Sequence, residues 1–410
     1  MANLIIPKVL EPEERLALMR EDALYDVADD DGVCVPDLAS IREELKAKPG
    51  PPKVPKIFVS NDCSFNCAYC GCRATRDKEP YTGEPREIAK LALSAAKGNG
   101  HGVFITSAIC KNADHTEALI VETLRVLRRE LGYRGYLHAK IMPGADPELI
   151  RQAGLYANRL SVNIEVAKSE GYERIARNKN RDNILTPMGR ISGLIRAAKE
   201  ERGPYAPRFA SSQTTQLMAG STEERDSEIL RLARAMYDKY NLARVYYTSF
   251  QYRHHALGYD LPLTATPGWR MRRLYQADRL MQVYGFTPEE IAPESEPDLC
   301  ADLDPKAAWA LRHLELYPIE VNKADYEELI RIPGIGVTYA KRIIKARKYC
   351  KITHDVLRAL GVSLKRSRHF LTCGGRFEGE RGDAPEERRA LLVTPPLPEE
   401  GFDGANGAEG

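Results

Sequence analysis

Nothing in this chain of 410 residues is patterned to cross a bilayer. It has no apolar run of 18 residues, and its first residues lack an apolar core of signal length, which predicts neither a membrane span nor a secretory leader. Charge of one sign is also missing. Lys and Arg number 60 against 58 Asp and Glu, a net charge of +2, so the whole molecule is no polycation and any anion-binding function must be local. The nine cysteines show no paired framework, which excludes a disulfide scaffold and points to a reducing cytoplasm, where thiols bind metal or stay free. What remains is ordinary for a soluble protein: 43% hydrophobic and 29% charged residues, in a chain long enough for two or more domains.

The feature that organises the chain is Cys63-Ser64-Phe65-Asn66-Cys67-Ala68-Tyr69-Cys70, which follows the apolar run Ile57-Phe58-Val59. Its C-x3-C-x2-C spacing puts three soft ligands on one loop, suited to an iron–sulfur cluster, zinc or copper(I). A ferredoxin-type cluster and a structural zinc site each want four protein ligands, whereas three on a cubane leave one iron open. Cys72 keeps other readings available: a fourth thiolate closing a zinc or ferredoxin-like site, or a spectator. With Tyr69 directly before the third cysteine, the loop resembles the signature of the radical S-adenosylmethionine (radical SAM) superfamily. The resemblance implies a [4Fe–4S] cluster on Cys63, Cys67 and Cys70, with SAM on the open iron and Tyr69 packed near the adenine. It also implies reductive cleavage of SAM to a 5′-deoxyadenosyl radical, fed by an external electron donor of flavodoxin or ferredoxin type.

From about residue 55 to 260, short β-type runs alternate with helical stretches, the pattern of a parallel sheet wrapped by helices. Candidate strands are Ile57–Ser60, Val103–Thr106, Tyr136–Lys140, Arg159–Val166, Gln213–Met218 and Arg244–Phe250. The expected fold is α/β, a partial (β/α)6 barrel with its chemistry at the C-terminal ends of the strands. The resemblance then implies SAM contacts at those strands: Ser107, where the usual Gly-Gly-Glu is absent, Lys140, Asn163, Glu165, Gln216, Gly220 and Arg244. Asn163 and Glu165 are two residues apart and share a face if the strand runs through them. Lys140 and Arg244 also fit plain solvated positions, and Glu224 and Asp226 fit a helix start better than a ligand.

The C-terminal part carries an independent signal. Val321-Asn322-Lys323-Ala324-Asp325-Tyr326-Glu327-Glu328-Leu329-Ile330 begins like a capped helix, Ile332-Pro333-Gly334-Ile335-Gly336 is a tight turn, and a helix over Thr338–Arg347 follows. This resembles the helix-hairpin-helix motif of DNA repair and competence proteins, an all-α nucleic-acid-binding domain over 317–375. There Gly334, Ile335, Gly336, Thr338, Lys341, Arg342 and Lys345 would receive a phosphate, reading backbone rather than sequence. A degenerate second copy begins at Val356-Leu357-Arg358-Ala359-Leu360-Gly361-Val362. Residues 338–369 hold ten Lys or Arg against one acid, Asp355, so the basic charge of the chain is concentrated here. Residues 1–54 read as a helical extension, 261–316 as a helical connector whose Arg270, Arg272, Arg273 and Arg279 can face nucleic acid or solvent, and 376–410 as a disordered tail. The order of motifs resembles the DNA modification/repair radical SAM family, which implies action on DNA and a uracil-DNA-glycosylase-like partner. A radical enzyme acting on tRNA, and a non-enzymatic DNA-binding protein with a structural cluster, remain alternatives.

Overall fold

The computed structural model describes residues 54–75, 79–99, 102–201, 208–250, 266–380 and 385–393. The expected extension before Val54 and the tail beyond 393 lie outside them. Two compact units emerge: residues to 224 with 235–266, and 225–234 with 267 onward.

The first unit is a six-stranded sheet, all parallel and in sequence order: β1 (Lys56–Phe58), β2 (Val103–Thr106), β3 (Leu137–Lys140), β4 (Arg159–Ser161), β5 (Ser212–Ala219) and β6 (Arg244–Ser249). The strands are buried on both faces, completely so in β2, which is why they read as β-branched and aromatic runs without strict alternation. Crossover helices α1 (Pro85–Asn99), α2 (Ala113–Arg125), α3 (Pro147–Tyr156), α4 (Glu170–Ile175), α5 (Arg181–Glu200) and α6 (Asp226–Tyr240) connect them. Their starts are legible in the side chains. Asn112 caps α2, Asp146 caps α3 ahead of Pro147, and Asn180 with Asn183 makes a reciprocal capping box on α5. A parallel α/β sheet wrapped by helices is therefore what the alternation predicted.

α2 runs on into a π-helical turn at Val126–Glu130. The fourth strand stops at Ser161 rather than reaching Val166 as the sequence suggested. The hydroxyl of Thr215 donates to Val162 O (2.7 Å) and accepts from Ile164 N (2.9 Å), replacing ladder partners. The chain then kinks through Glu165 at φ +64° before Glu165 N rejoins Gln216 O at 2.9 Å. Alternation thus fails beyond Ser161: Val162, Asn163, Ile164 and Glu165 are all buried.

The second unit is mainly helical. It contains α7 (Gly268–Val283), α8 (Pro288–Ile291), α9 (Pro305–Arg312), α10 (Tyr326–Arg331), α11 (Val337–Ala346), α12 (His354–Ala359), α13 (Leu364–Ser367) and α14 (Pro385–Ala390), with a two-stranded parallel ribbon of β7 (Ile319–Glu320) and β8 (Leu371–Thr372). Residues 267–316 pack within this unit. The guanidinium of Arg331 sits 3.8 Å over Phe286 and 4.7 Å over Trp309, and pairs with Glu290 at 2.7 Å. The arginines of α7 are partly spent inside: Arg273 is buried and donates to Cys300 O and Ala301 O, and Arg270 pairs with buried Asp226 at 2.7 Å. In the expected tail, α14 is tied to the body by Arg389 on Asp302.

Candidate functional site

The cysteine loop leaves the C-terminal end of β1 and is held from two sides. Ser64 N and Oγ both donate to Ile109 O (2.7 and 2.9 Å), and Ala68 N donates to Ile175 O (2.8 Å), just past β2 and at the end of α4. Ala74 N closes the loop on Phe65 O at 2.9 Å. Within this frame backbone N–H groups already point at sulfur: Phe65 N lies 3.4 Å from Cys63 Sγ, and Cys72 N lies 3.4 Å from Cys70 Sγ. Such N–H···S bonds stabilise thiolate ligands and tune a cluster's potential.

The three thiols are close enough to feel one another. Burial raises Cys63, with Cys70 adding to it, and burial pushes Cys67 up to about 12. Cys70 moves the other way, to about 7, because the Cys72 thiol and N–H both donate to it. Among the described residues, no three His, Cys, Asp or Glu side chains close on one point as a single-ion site demands. A cubane asks instead that each thiolate reach its own iron. Cys72 is buried beside Cys70 as a hydrogen-bond donor.

Beside the loop lies a residue that the sequence did not single out. Lys179, in the link between α4 and α5, donates to Glu165 Oε1 at 2.7 Å and to the Tyr69 hydroxyl at 3.1 Å. Its side chain is 12% exposed and that of Glu165 5%. Burial opposes the Lys179 charge, but the Glu165 carboxylate and the neighbouring thiols outweigh it and hold the ammonium protonated. Tyr69 is held well above its ordinary value by burial first and by Glu165 second. The only sequence hint of Lys179 was its place just upstream of the Asn180 capping box. Its approach to Glu165 depends on the left-handed backbone at 165.

The other expected contacts are placed unevenly. Asn163 is buried behind Glu165, and its Oδ1 has no hydrogen-bond partner among the described residues. An open buried acceptor is what a polar ligand requires. Gln216 lies alongside, accepting weakly from Asn163 Nδ2 at 3.4 Å. The Ser107 hydroxyl is engaged by the backbone, accepting from Ser60 N and donating to Ala108 O. Lys140 ends β3 on the cluster side of the sheet. Gly220 has φ +81°, and a Cβ there would collide with Thr266 Oγ1, so its freedom serves the turn itself. Arg244 opens β6. In a parallel sheet that is the end opposite the cysteine loop, and its guanidinium lies over the Tyr246 ring at 5.3 Å. Glu224 ties the turn at Gly220 and Thr222, and Asp226, the first residue of α6, accepts from Leu299 N.

In the second unit the hairpin forms as its turn chemistry predicts. Asp325 and Glu328 make a capping box on α10, Gly334 takes φ +90°, and Gly336 is the N-cap of α11 with no side-chain capping hydrogen bond. Ile335 is fully buried, whereas Thr338, Lys341, Arg342 and Lys345 are exposed. The degenerate copy is real: α12, Gly361 at φ +87° and α13. The two turns pack reciprocally. A Cβ on Gly334 would sit 3.4 Å from Ser367, and one on Gly361 would sit 3.5 Å from Tyr339. Arg342 Nη1 donates to Leu360 O at 3.0 Å. Of the basic stretch, Arg358, Arg366 and Arg368 pair with acids. Lys341, Lys345, Lys348, Lys351 and Lys365 are exposed, with no ion-pair partner among the described residues.

Comparison with known proteins agrees with both halves. The family model of the Radical SAM superfamily matches residues 57–196, and that of the helix-hairpin-helix motif matches 317–353. The chain therefore carries a radical SAM domain, of a superfamily that uses a [4Fe–4S] cluster and SAM, followed by a helix-hairpin-helix motif. No curated protein matches it in sequence. Among solved structures it is similar to the FeFe-hydrogenase maturase HydG from Carboxydothermus hydrogenoformans, at 13% identity and TM-score 0.43, over 66% of this chain and 63% of that one. Methylornithine synthase (PylB) gives 15% and 0.43 over 66% and 73%. The radical SAM methyltransferase TsrM from Kitasatospora setae gives 15% and 0.34 over 48% and 36%.

Proposed function

We propose that this chain is a radical SAM enzyme acting on nucleic acid, DNA in the first instance, in base or sugar modification or repair. The observation that carries the reading is the coexistence, in one chain, of the three-thiol loop facing Lys179 and Glu165 and a hairpin whose free lysines face solvent. Cys63, Cys67 and Cys70 would hold the cluster, and the residues present fit it: thiols within electrostatic reach of one another, N–H groups aimed at two sulfurs, and a buried ammonium to offset thiolate charge. When bound, cluster and SAM together supply a 5′-deoxyadenosyl radical that abstracts hydrogen. The protein's own part is placement. Asn163 offers an unused acceptor and Glu165 is locked by Lys179, while the buried walls around them keep water from the reacting carbon. The hairpin turn and the lysines of α11 would hold the phosphodiester backbone. An external flavodoxin- or ferredoxin-type donor provides the electron, and a uracil-DNA-glycosylase-like protein is a candidate partner.

Anaerobic reconstitution with iron and sulfide, then dithionite and SAM, tests the chemistry. Formation of 5′-deoxyadenosine, stimulated by DNA, is expected; its absence with DNA present leaves a structural cluster. Binding to duplex DNA, single-stranded DNA and tRNA across a salt series sorts the substrate.

A further inference from the structure

Behind the hairpin turn is a cation that stability alone does not explain. Lys306 is the second residue of α9 and is 9% exposed. A buried ammonium is expensive, and the positive end of a helix dipole is the wrong place for it. Its Nζ donates to Ile335 O at 2.5 Å, the carbonyl between the two turn glycines, and lies 4.9 Å from the centre of the Tyr284 ring. Tyr284 in turn backs the turn: a Cβ on Gly336 would come within 3.0 Å of its hydroxyl. Ile335 O thus faces inward onto a positive charge, leaving the N–H groups at the start of α11 on the other side. Burial pushes the Lys306 ammonium down to about 7, Asp304 works against that, and Arg331 and Arg366 reinforce it.

We propose that Lys306 is a positioning residue for nucleic-acid binding: its ammonium anchors the Ile335 carbonyl and puts a buried positive charge behind the turn that receives the phosphodiester. This rests on the nucleic-acid reading of the hairpin and deepens it. An anion seated in front of the turn favours the charged form of Lys306, so binding takes up a proton. Affinity therefore falls as pH rises from 6.5 to 8.5. The groups facing Lys306 are Asp304, Arg331, Arg366 and Tyr284. His354 and His369 of the second hairpin are lowered by burial below their ordinary value, and so change charge beneath that pH window.

The test uses the full chain and a short labelled DNA duplex at fixed salt, read by fluorescence anisotropy at pH 6.5 and 8.5. Wild type is expected to weaken about sixfold across the window, what one unit of coupling gives between pH 6.5 and 8.5. Lys306→Met should bind about tenfold more weakly at pH 6.5 with no pH slope, and because it leaves Ile335 O without its donor its urea midpoint is measured first, so that binding is read where the variant is folded. Lys306→Arg, which keeps the charge, should restore binding without the slope. Calorimetry on wild type in two buffers of different ionisation enthalpy should show proton uptake at pH 7.5, and needs no variant. Absence of uptake, or a folded Met variant that keeps the pH slope, overturns the inference. If wild type binds no duplex, and Lys341→Glu with Lys345→Glu changes nothing, the nucleic-acid reading itself falls and this inference with it. Salt-dependent binding that those two charge reversals weaken, with Lys306→Met indistinguishable from wild type, overturns the role of Lys306 alone.

Discussion

At the scale of single residues, the cluster loop separates ligands from neighbours. Replacing Cys63, Cys67 or Cys70 by Ala should each abolish reconstituted iron and the visible absorbance of the cluster. If Cys63, Cys67 and Cys70 hold the cluster as proposed, Cys72→Ala should keep the iron content and shift the reduction potential, because Cys72 donates to Cys70. Iron analysis and redox titration check both. Lys179→Met strands the buried Glu165 carboxylate, and loss of one partner of a buried pair costs about 3–5 kcal/mol. Urea unfolding of the apoprotein followed by circular dichroism measures it. Glu117 gives a pH signature. Burial raises its carboxyl to about 8, against an N–H bond from Met142. Between its unfolded pKa near 4.5 and about 8, the folded chain holds the extra proton, so stability falls as pH rises, by at most about 1.4 kcal/mol per pH unit. Glu117→Gln should flatten that slope.

At the scale of elements, two local devices shape the site. Thr215 satisfies Val162 O and Ile164 N and so permits the kink that turns Glu165 toward Lys179. Thr215→Val leaves both backbone groups buried and unpaired, and should cost roughly 2–3 kcal/mol and lower the affinity for SAM. Equilibrium unfolding and SAM-binding calorimetry read the two effects. In the hairpin, Gly334 holds φ +90° close to Ser367. Gly334→Ala should destabilise the second unit by about 1–2 kcal/mol. Trp269 and Trp309 are the chain's two tryptophans and both lie in this unit, so tryptophan fluorescence reports its unfolding selectively.

At the scale of the whole molecule, a net charge of +2 conceals a basic stretch whose lysines lie exposed around α11 and α13. Binding to a nucleic acid should therefore weaken steeply with salt despite the near-neutral total. Each of Lys341, Lys345 and Lys348 changed to Ala should lower the steepness of log affinity against log salt by about one if it meets a phosphate. Affinity series at several salt concentrations check this, and a slope near zero would remove the electrostatic basis of the reading.

How much of this was legible in the chain follows from the range of the forces involved. The thiol loop, the β/α alternation, the Asp325 cap and the Gly334–Gly336 turn are set by neighbours in sequence: ligand spacing, burial on a sheet, and backbone torsions that glycine permits. The sequence by itself therefore determined the fold class and the two motifs. Only the tertiary structure decided the rest. Lys179 meets Glu165 across 14 residues through a kink made by a hydroxyl on another strand, Arg244 falls at the far end of its strand, and Lys306 reaches a carbonyl 29 residues away. A buried charge needs a specific partner rather than a pattern, and that partner is chosen by packing in three dimensions, which periodicity along a chain does not encode.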